Sequence, residues 1–258
     1  MHLIPQDYLL GATALVLEVL VCACAFRRRL YLRLPFFTIY LALVLARTLF
    51  GWLVYSAWGY ESRIAFYFFW VSQAMLVAAR AAAIAEIAWR ALRDYRGIWA
   101  LAWRLLCGIA LLLLVNAALD AHASKSRIAT FVLSAERGLE LAAAVVLLTL
   151  LFVSGYYGIR LEPVQRMVAL GLGFYSTIQV LNNSIASEWL SQFFHWWASI
   201  RMISFQVALL IWWWALRKPL PAVTAAPVLL SQNVYDELTP QINHRLRLLN
   251  QRLLEILK

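Results

Sequence analysis

Residues 129–153 read ATFVLSAERGLELAAAVVLLTLLFV, an apolar run with three charged side chains in its first half. A helix rises ~1.5 Å per residue, so a run of this length crosses the ~30 Å hydrocarbon core of a bilayer. Charged groups at that depth are costly and turn toward the interior of a bundle. The stretch therefore predicts a transmembrane helix that presents Glu136, Arg137 and Glu140 to other helices.

Six more apolar runs share the length of a membrane span. Together the seven predicted spans occupy residues 8–26, 35–57, 65–89, 98–119, 129–153, 167–187 and 193–216. The chain of 258 residues is 64% hydrophobic and 14% charged, whereas soluble domains have roughly 45–50% apolar and about 25% charged residues. The sequence predicts an all-α integral membrane protein with a seven-transmembrane helix bundle.

Basic residues in the short loops set the predicted orientation, because loops rich in arginine and lysine stay in the cytoplasm. The first, third and fifth loops and the flank after the last span hold Arg27, Arg28, Arg29, Arg33, Arg90, Arg93, Arg96, Arg160, Arg166, Arg217 and Lys218. The other loops hold Arg63, Lys125 and Arg127. This predicts an outside N-terminus and a cytoplasmic C-terminus in a multi-pass protein of the plasma membrane, in bacteria the inner membrane. The run Trp212-Trp213-Trp214 at the inner end of the last span fits, since tryptophan prefers the headgroup level.

The tail beyond the last span is predicted to form a separate unit. We divide the chain into a transmembrane domain at 1–218, a linker at 219–238 and a cytoplasmic amphipathic helix at 239–258. The tail helix repeats apolar residues at a spacing of four and three, namely Ile242, Leu246, Leu249, Leu253 and Ile256. Such a seam binds a partner chain or a second copy, or lies on anionic lipid with its arginines toward the headgroups. Both alternatives remain open at this point.

Polar residues within the spans predict a cluster in the bundle interior. Its members are Arg47, Glu136, Arg137, Glu140, Gln179, Asn183, His195 and Arg201. Arg137 and Glu140 are three residues apart and share a helix face, so we expect Arg137 to pair with Glu140 or with a carboxylate of another span. The cluster serves as ion-pair glue between helices, as a pocket for an anionic group, or as a proton path.

The sequence lacks the residues and motifs that several classes of function require. The formal net charge of +10 comes from loops between spans, which predicts anionic lipid on the cytoplasmic side as the partner and no nucleic acid. The seventh span has no lysine for a retinal Schiff base, and no HExxH, GxSxG or Walker loop occurs. We predict no catalytic residues, no metal site and no cofactor, but bound lipid.

The expected function is a non-enzymatic sensor, scaffold or accessory subunit of a membrane complex that engages its partner through the C-terminal helix. The alternative is a small transporter or channel that uses the charged cluster. Both follow from short loops, a polar interior and an amphipathic tail. Topology alone does not distinguish them.

The first prediction concerns orientation. Single cysteines in place of Ser124 and Ser231 should react with membrane-impermeant reagent from opposite sides, because the loop basic residues put the first outside and the second inside. Labelling of intact cells and of inverted vesicles measures this. Labelling of both positions from one side would contradict the seven-span topology.

Overall fold

The computed structural model describes residues 5–93, 96–122, 124, 126–156, 161–188, 194–217, 247–253 and 255. Its helices are α1 (Pro5–Arg27), α2 (Leu30–Arg33), α3 (Pro35–Trp58), α4 (Arg63–Leu92), α5 (Arg96–His122), α6 (Arg127–Tyr156), α7 (Pro163–Glu188) and α8 (Phe194–Arg217). A further helical segment runs over 247–253 and is called the tail segment here. No strand occurs in the described ranges, so the predicted all-α class is confirmed.

Six of these helices are long and apolar enough to cross a membrane, which indicates an integral membrane protein. They are α1, α3, α4, α5, α6 and α8. The helix α7 has 26 residues, enough to span, but it is the least apolar of the long helices. Polar residues such as Gln165, Ser176 and Gln179 lower its average hydropathy. The sixth predicted span is therefore present as a helix, while its passage through the membrane rests on the packing argued below.

The helices form a ring in the order α1, α3, α4, α6, α7, α8, with α8 returning to α1. The helix α5 stands outside this ring and packs mainly on α6. Most of its leucines are exposed, including Leu111, Leu112 and Leu119. Because apolar side chains on the rim of a membrane bundle face lipid, the ring supplies the interior and α5 adds a lipid-facing layer.

Contacts at one end of the ring join the segments that hold most of the arginines, and this end is called the basic end here. Arg28 Nη2 donates to the carbonyl oxygen of Arg217 over 3.1 Å, which joins the ends of α1 and α8. Arg33 lies 3.8 Å from Glu162, just before α7. The segments that the loop charges predict to share one side of the membrane therefore meet at one end of the bundle.

The start of α3 shows why a carboxylate is buried at the basic end. Pro35 begins the helix as predicted and brings no N–H of its own. The next two N–H groups, of Phe36 and Phe37, donate to Glu86 Oε2 of α4 over 3.0 and 3.2 Å. Arg90 lies 3.3 Å from the other oxygen of Glu86. Glu86 thus caps α3 from a neighbouring helix, where the helix dipole favours a negative charge.

Trp212, near the end of α8, lies in the core of the bundle. Its side chain is fully buried, and its ring meets Phe37 edge-on at 5.1 Å between centroids. Its Nε1 donates to the carbonyl oxygen of Val168 over 3.3 Å, and Gly171 provides the space beside the indole. Only Trp214 of this run is largely exposed. A satisfied indole N–H packs well in a protein interior, which explains why Trp212 is buried although it lies near the end of its helix.

The second prediction tests this close approach. Gly171→Val should lower the free energy of unfolding by about 1–3 kcal/mol, because the new side chain overlaps a ring that has no room to move. Thermal unfolding in detergent measures the change. Gly108→Val on α5 is the matched control, since no atom lies within 4 Å of a Cβ there. Equal losses in the two variants would contradict the packing of α7 on α8.

Candidate functional site

The centre of the ring holds an ion pair between Arg80 of α4 and Glu140 of α6. Both side chains are buried, at 3% and 1% exposure. Arg80 Nη2 also lies 3.7 Å from Glu136 Oε1, which accepts a 2.7 Å hydrogen bond from Gln73 Nε2. One guanidinium and one amide from α4 thus compensate two carboxylates of α6.

Helical spacing explains how these four side chains meet. Gln73 and Arg80 are seven residues apart, which is close to two turns, and Glu136 and Glu140 are four apart. Each pair therefore lies along one stripe of its helix, and the stripes face each other where α4 packs on α6. Charged groups at this depth are stable when they are paired.

The helix α7 closes the network from a third side. The guanidinium of Arg80 lies over the ring of Tyr175, 5.3 Å from its centroid. Gln179, one turn later, donates through Nε2 to the Tyr175 hydroxyl over 2.7 Å. Ser176 and Gln179 are buried. These two polar residues of α7 thus face the ring interior.

A small pocket of about 60 Å³ adjoins the network between α6, α7 and α8. Its lining residues are Leu133, Glu136, Arg137, Glu140, Gln179 and Arg201. Arg137 and Arg201 are exposed, and neither has a carboxylate oxygen within 4.0 Å in the described part of the chain. This volume holds a water molecule or two, or the end of a larger ligand.

Polar atoms around the pocket are not all satisfied by the described residues. Glu140 Oε2, Gln73 Oε1, Arg80 Nε and Ser176 Oγ are buried without a hydrogen-bond partner there. Buried polar groups in proteins nearly always have partners. An unsatisfied carboxylate oxygen in the pocket wall therefore favours a group that donates a hydrogen bond to it.

Arg47 of α3 reaches the edge of the same network. Its guanidinium lies 5.0 Å from the centre of the Phe69 ring, a cation–π distance. It is close enough to Glu136 for attraction and to Arg201 for repulsion. Glu18 of α1 is buried nearby and is attracted to Arg47. Charged side chains from α1, α3, α4, α6 and α8 thus share the interior.

The structure brings together five of the predicted cluster residues around the pocket, namely Glu136, Arg137, Glu140, Gln179 and Arg201. The side chains of Asn183 and His195 lie outside the described residues. The expected pairing of Arg137 with Glu140 was wrong, because Glu140 pairs with Arg80. For the other expected partner, no carboxylate of another span lies within 4.0 Å of Arg137 in the described residues. Arg137 lies on the exposed side of α6, so sharing a helix face with Glu140 did not bring it to the carboxylate.

Three residues at the centre of the site were missed by the sequence-based cluster. These are Gln73, Arg80 and Tyr175. Arg80 is the one charged residue in the middle of its span, and its two-turn spacing from Gln73 was the available signal. Nothing in the sequence marks Tyr175, since a tyrosine in an apolar run is equally consistent with plain packing.

At the basic end, the tail segment contacts the first turn of α5. The N–H of Gly97 donates to Asn250 Oδ1 over 2.6 Å, so Asn250 caps α5 from a distant part of the chain. A Cβ at Gly97 would lie 2.8 Å from the carbonyl oxygen of Asn250 and 3.2 Å from Leu253. Leu249 is 52% exposed. Of the predicted seam, Leu253 thus faces the bundle and Leu249 faces away, while Ile242, Leu246 and Ile256 lie outside the described residues.

A larger groove of about 620 Å³ lies between α4, α5 and α6, near the end opposite the basic end. Apart from His122 and Arg127, its lining residues are apolar: Trp70, Val71, Ala74, Met75, Ala118, Ala121, Ile128, Phe131 and Val132. The groove suits an acyl chain and carries no reactive groups beyond those two side chains. In the described residues, no three histidine, cysteine, aspartate or glutamate side chains are placed to hold a metal ion.

Comparisons of this chain with protein-family models, with curated proteins and with solved structures found no match. The features of the molecule that bear on its function are the buried network, the pocket beside it and the docked tail segment.

The third prediction concerns the central ion pair. Arg80→Leu or Glu140→Leu should each lower the free energy of unfolding by about 3–5 kcal/mol, because each leaves a buried charge without its partner. The double variant should lose less than the sum, since no charge of the pair is then left alone. Thermal unfolding in detergent measures all three.

Arg137→Leu is the control for this cycle. Its side chain is exposed and has no carboxylate within reach in the described residues, so stability should change by only about 0.5 kcal/mol. A loss as large as that of Arg80→Leu would show that Arg137 pairs with Glu140 in the membrane. Additive losses in the double variant would contradict the pair itself.

Proposed function

We propose that this chain is a non-enzymatic seven-helix membrane protein that acts as a sensor, scaffold or accessory subunit of a membrane complex. It receives a signal at the pocket beside the Arg80–Glu140 pair and engages a partner through its C-terminal helix. The observation that carries this proposal is where the pocket and the tail segment lie in the bundle. The pocket is built on the ring helices, and the tail segment is docked at the basic end with Leu249 exposed.

Seven spans are part of this proposal. The helix α7 packs on both α6 and α8, which are themselves apolar enough to span. Its buried residues Ser176 and Gln179 face inward, so the polarity that lowers its mean hydropathy is shielded from lipid. We propose that α7 crosses the membrane with its neighbours.

The arginines of the basic end support a cytoplasmic location for it, in the plasma membrane or the bacterial inner membrane. The N-terminus is then outside and the C-terminus inside. Anionic lipid headgroups of the inner leaflet are attracted to these arginines. We also propose that the acyl chain of a lipid binds in the groove between α4, α5 and α6.

A small transporter is the second candidate. The specific observation in its favour is Glu140 Oε2, a buried carboxylate oxygen beside a polar pocket, which is the kind of group that binds a substrate or relays protons. Against it, the pocket holds only about 60 Å³ and adjoins an ion pair that fills the centre of the ring. A transport path requires the Arg80–Glu140 pair to separate. A sensor requires only that the helices around this pair move slightly when a ligand binds.

The fourth prediction tests the role of the tail. A photo-crosslinking amino acid in place of Leu249 should form an adduct with a second protein or a second copy in native membranes, because this side chain faces away from the bundle. The same group in place of Leu253 should crosslink within the chain, to the first turn of α5. Mass spectrometry of the adducts distinguishes the two.

Gly97→Leu provides a further control, since it displaces Asn250 and Leu253 while leaving the exposed face of the tail segment unchanged. It should abolish the intrachain adduct at position 253. Lipid adducts alone at position 249 would overturn the partner role and favour the transporter.

A further inference from the structure

Within the described residues, Arg137 and Arg201 are the two charged side chains of the pocket that have no carboxylate within 4.0 Å. They come from α6 and α8, on either side of Gln179 of α7. The carboxylates in the same pocket are occupied, since Glu140 pairs with Arg80, and Glu136 with Arg80 and Gln73. Both arginines are exposed while lining the pocket. They are therefore accessible to a ligand that reaches it.

Among the described residues, the charged groups in and around the pocket do not balance. Four guanidinium groups, of Arg47, Arg80, Arg137 and Arg201, stand against three carboxylates, of Glu18, Glu136 and Glu140. The difference is one positive charge. An unbalanced charge within a membrane protein is costly, and a singly charged anion in the pocket removes the imbalance.

The pocket also has a built acceptor. Glu140 lines the pocket and is 1% exposed, and its Oε2 has no hydrogen-bond partner in the described residues. An anion alone would be repelled by this oxygen. A ligand that carries a hydroxyl group as well as its negative charge places the hydroxyl hydrogen on Glu140 Oε2 and the charge on the two arginines.

We propose that Arg137, Arg201 and Gln179 bind a singly charged oxyanion that also carries a hydroxyl group. Guanidinium groups recognise phosphate and carboxylate oxygens through paired hydrogen bonds, and two of them from different helices fix the position of the group. The proposal rests on the sensing role of this pocket and names the chemistry that it senses.

Two sources supply this chemistry. One is the headgroup of an anionic lipid such as phosphatidylglycerol, which has one phosphodiester charge and free hydroxyl groups. The other is a small soluble hydroxy acid. Arg137 lies ten residues after the start of α6, and Arg201 seven after the start of α8. In the proposed orientation both are in the outer half of the membrane, within reach of the outer leaflet and of the outside solution.

The test uses the purified full-length chain in detergent. In the first arm, native mass spectrometry follows the binding of short-chain phosphatidylglycerol, with phosphatidylcholine as the neutral reference. In the second arm, thermal unfolding is measured with lactate against chloride at constant ionic strength. Arg137→Gln and Arg201→Gln remove the proposed contacts, and Arg63→Gln removes an exposed arginine outside the pocket.

We expect one ligand to bind the wild-type chain and the Arg63→Gln variant equally. Each pocket variant should weaken that binding by roughly tenfold or more, the loss typical of a charge-assisted hydrogen bond. Arg201→Lys should lose less, because it keeps the charge without the planar fork. Preference for phosphatidylglycerol identifies the lipid source, and stabilisation by lactate identifies the soluble one.

Binding of neither ligand, or equal binding by all variants, would overturn the proposal. Circular dichroism and gel filtration establish that each variant is folded, and the two independent Gln variants keep the test valid if one of them fails to fold. The Leu249 crosslink does not involve the pocket. A failed binding test with a positive crosslink therefore rejects the ligand but not the partner role.

Discussion

The Arg80 guanidinium and the Glu140 carboxylate are both buried in the centre of the ring, and each is stable at that depth because the other is there. Glu136, Gln73 and Tyr175 extend the contact, so α4, α6 and α7 are joined around one cation. In lipid, helix association gains little from the hydrophobic effect and depends on packing and interhelical polar contacts. A shift of any of these three helices must therefore separate charges or stretch hydrogen bonds.

The two ends of the bundle carry different kinds of polar contact. At the basic end, the polar groups serve the backbone. Glu86 satisfies two N–H groups of α3, Arg28 binds the last carbonyl of α8, and Asn250 binds an N–H of α5. Toward the other end, Arg137 and Arg201 have no backbone or carboxylate partner in the described residues. At that end Ser62 caps α4 and Ser134 of α6 donates to Asp120 of α5, so the two ends differ mainly in the partners of their arginines.

The polarity of α7 follows from its place between α6 and α8. A helix whose inner face holds Ser176 and Gln179 has a low mean hydropathy, although its other residues suit a membrane. Hydropathy averages over all faces of a helix, whereas lipid contacts only one of them. This is why the most polar of the long helices is also the one that closes the network around Arg80.

Sequence alone determined the helical class, the number and approximate position of the long helices, and the end of the bundle at which the arginines gather. These properties depend on the length of apolar runs and on local charge, which act within one helix or one loop. The start of α3 at Pro35 also depends on local sequence, because proline is favoured at the first position of a helix. The predicted cluster also contained the five polar residues that line the pocket, because polar and charged side chains within apolar runs are rare enough to be noticed singly.

Only the tertiary structure decided which of those charges meet. The rotation of each helix about its axis is set by packing against neighbours and leaves no trace in the spacing of one helix. Arg137 and Glu140 share a face by sequence, yet Arg80 of another helix occupies the carboxylate. Trp212 is buried against its neighbours for the same reason, since Gly171 of α7 provides a space that no pattern within α8 reveals. Partner choice between helices is a property of three-dimensional packing, and the one-dimensional pattern fixes only the candidates.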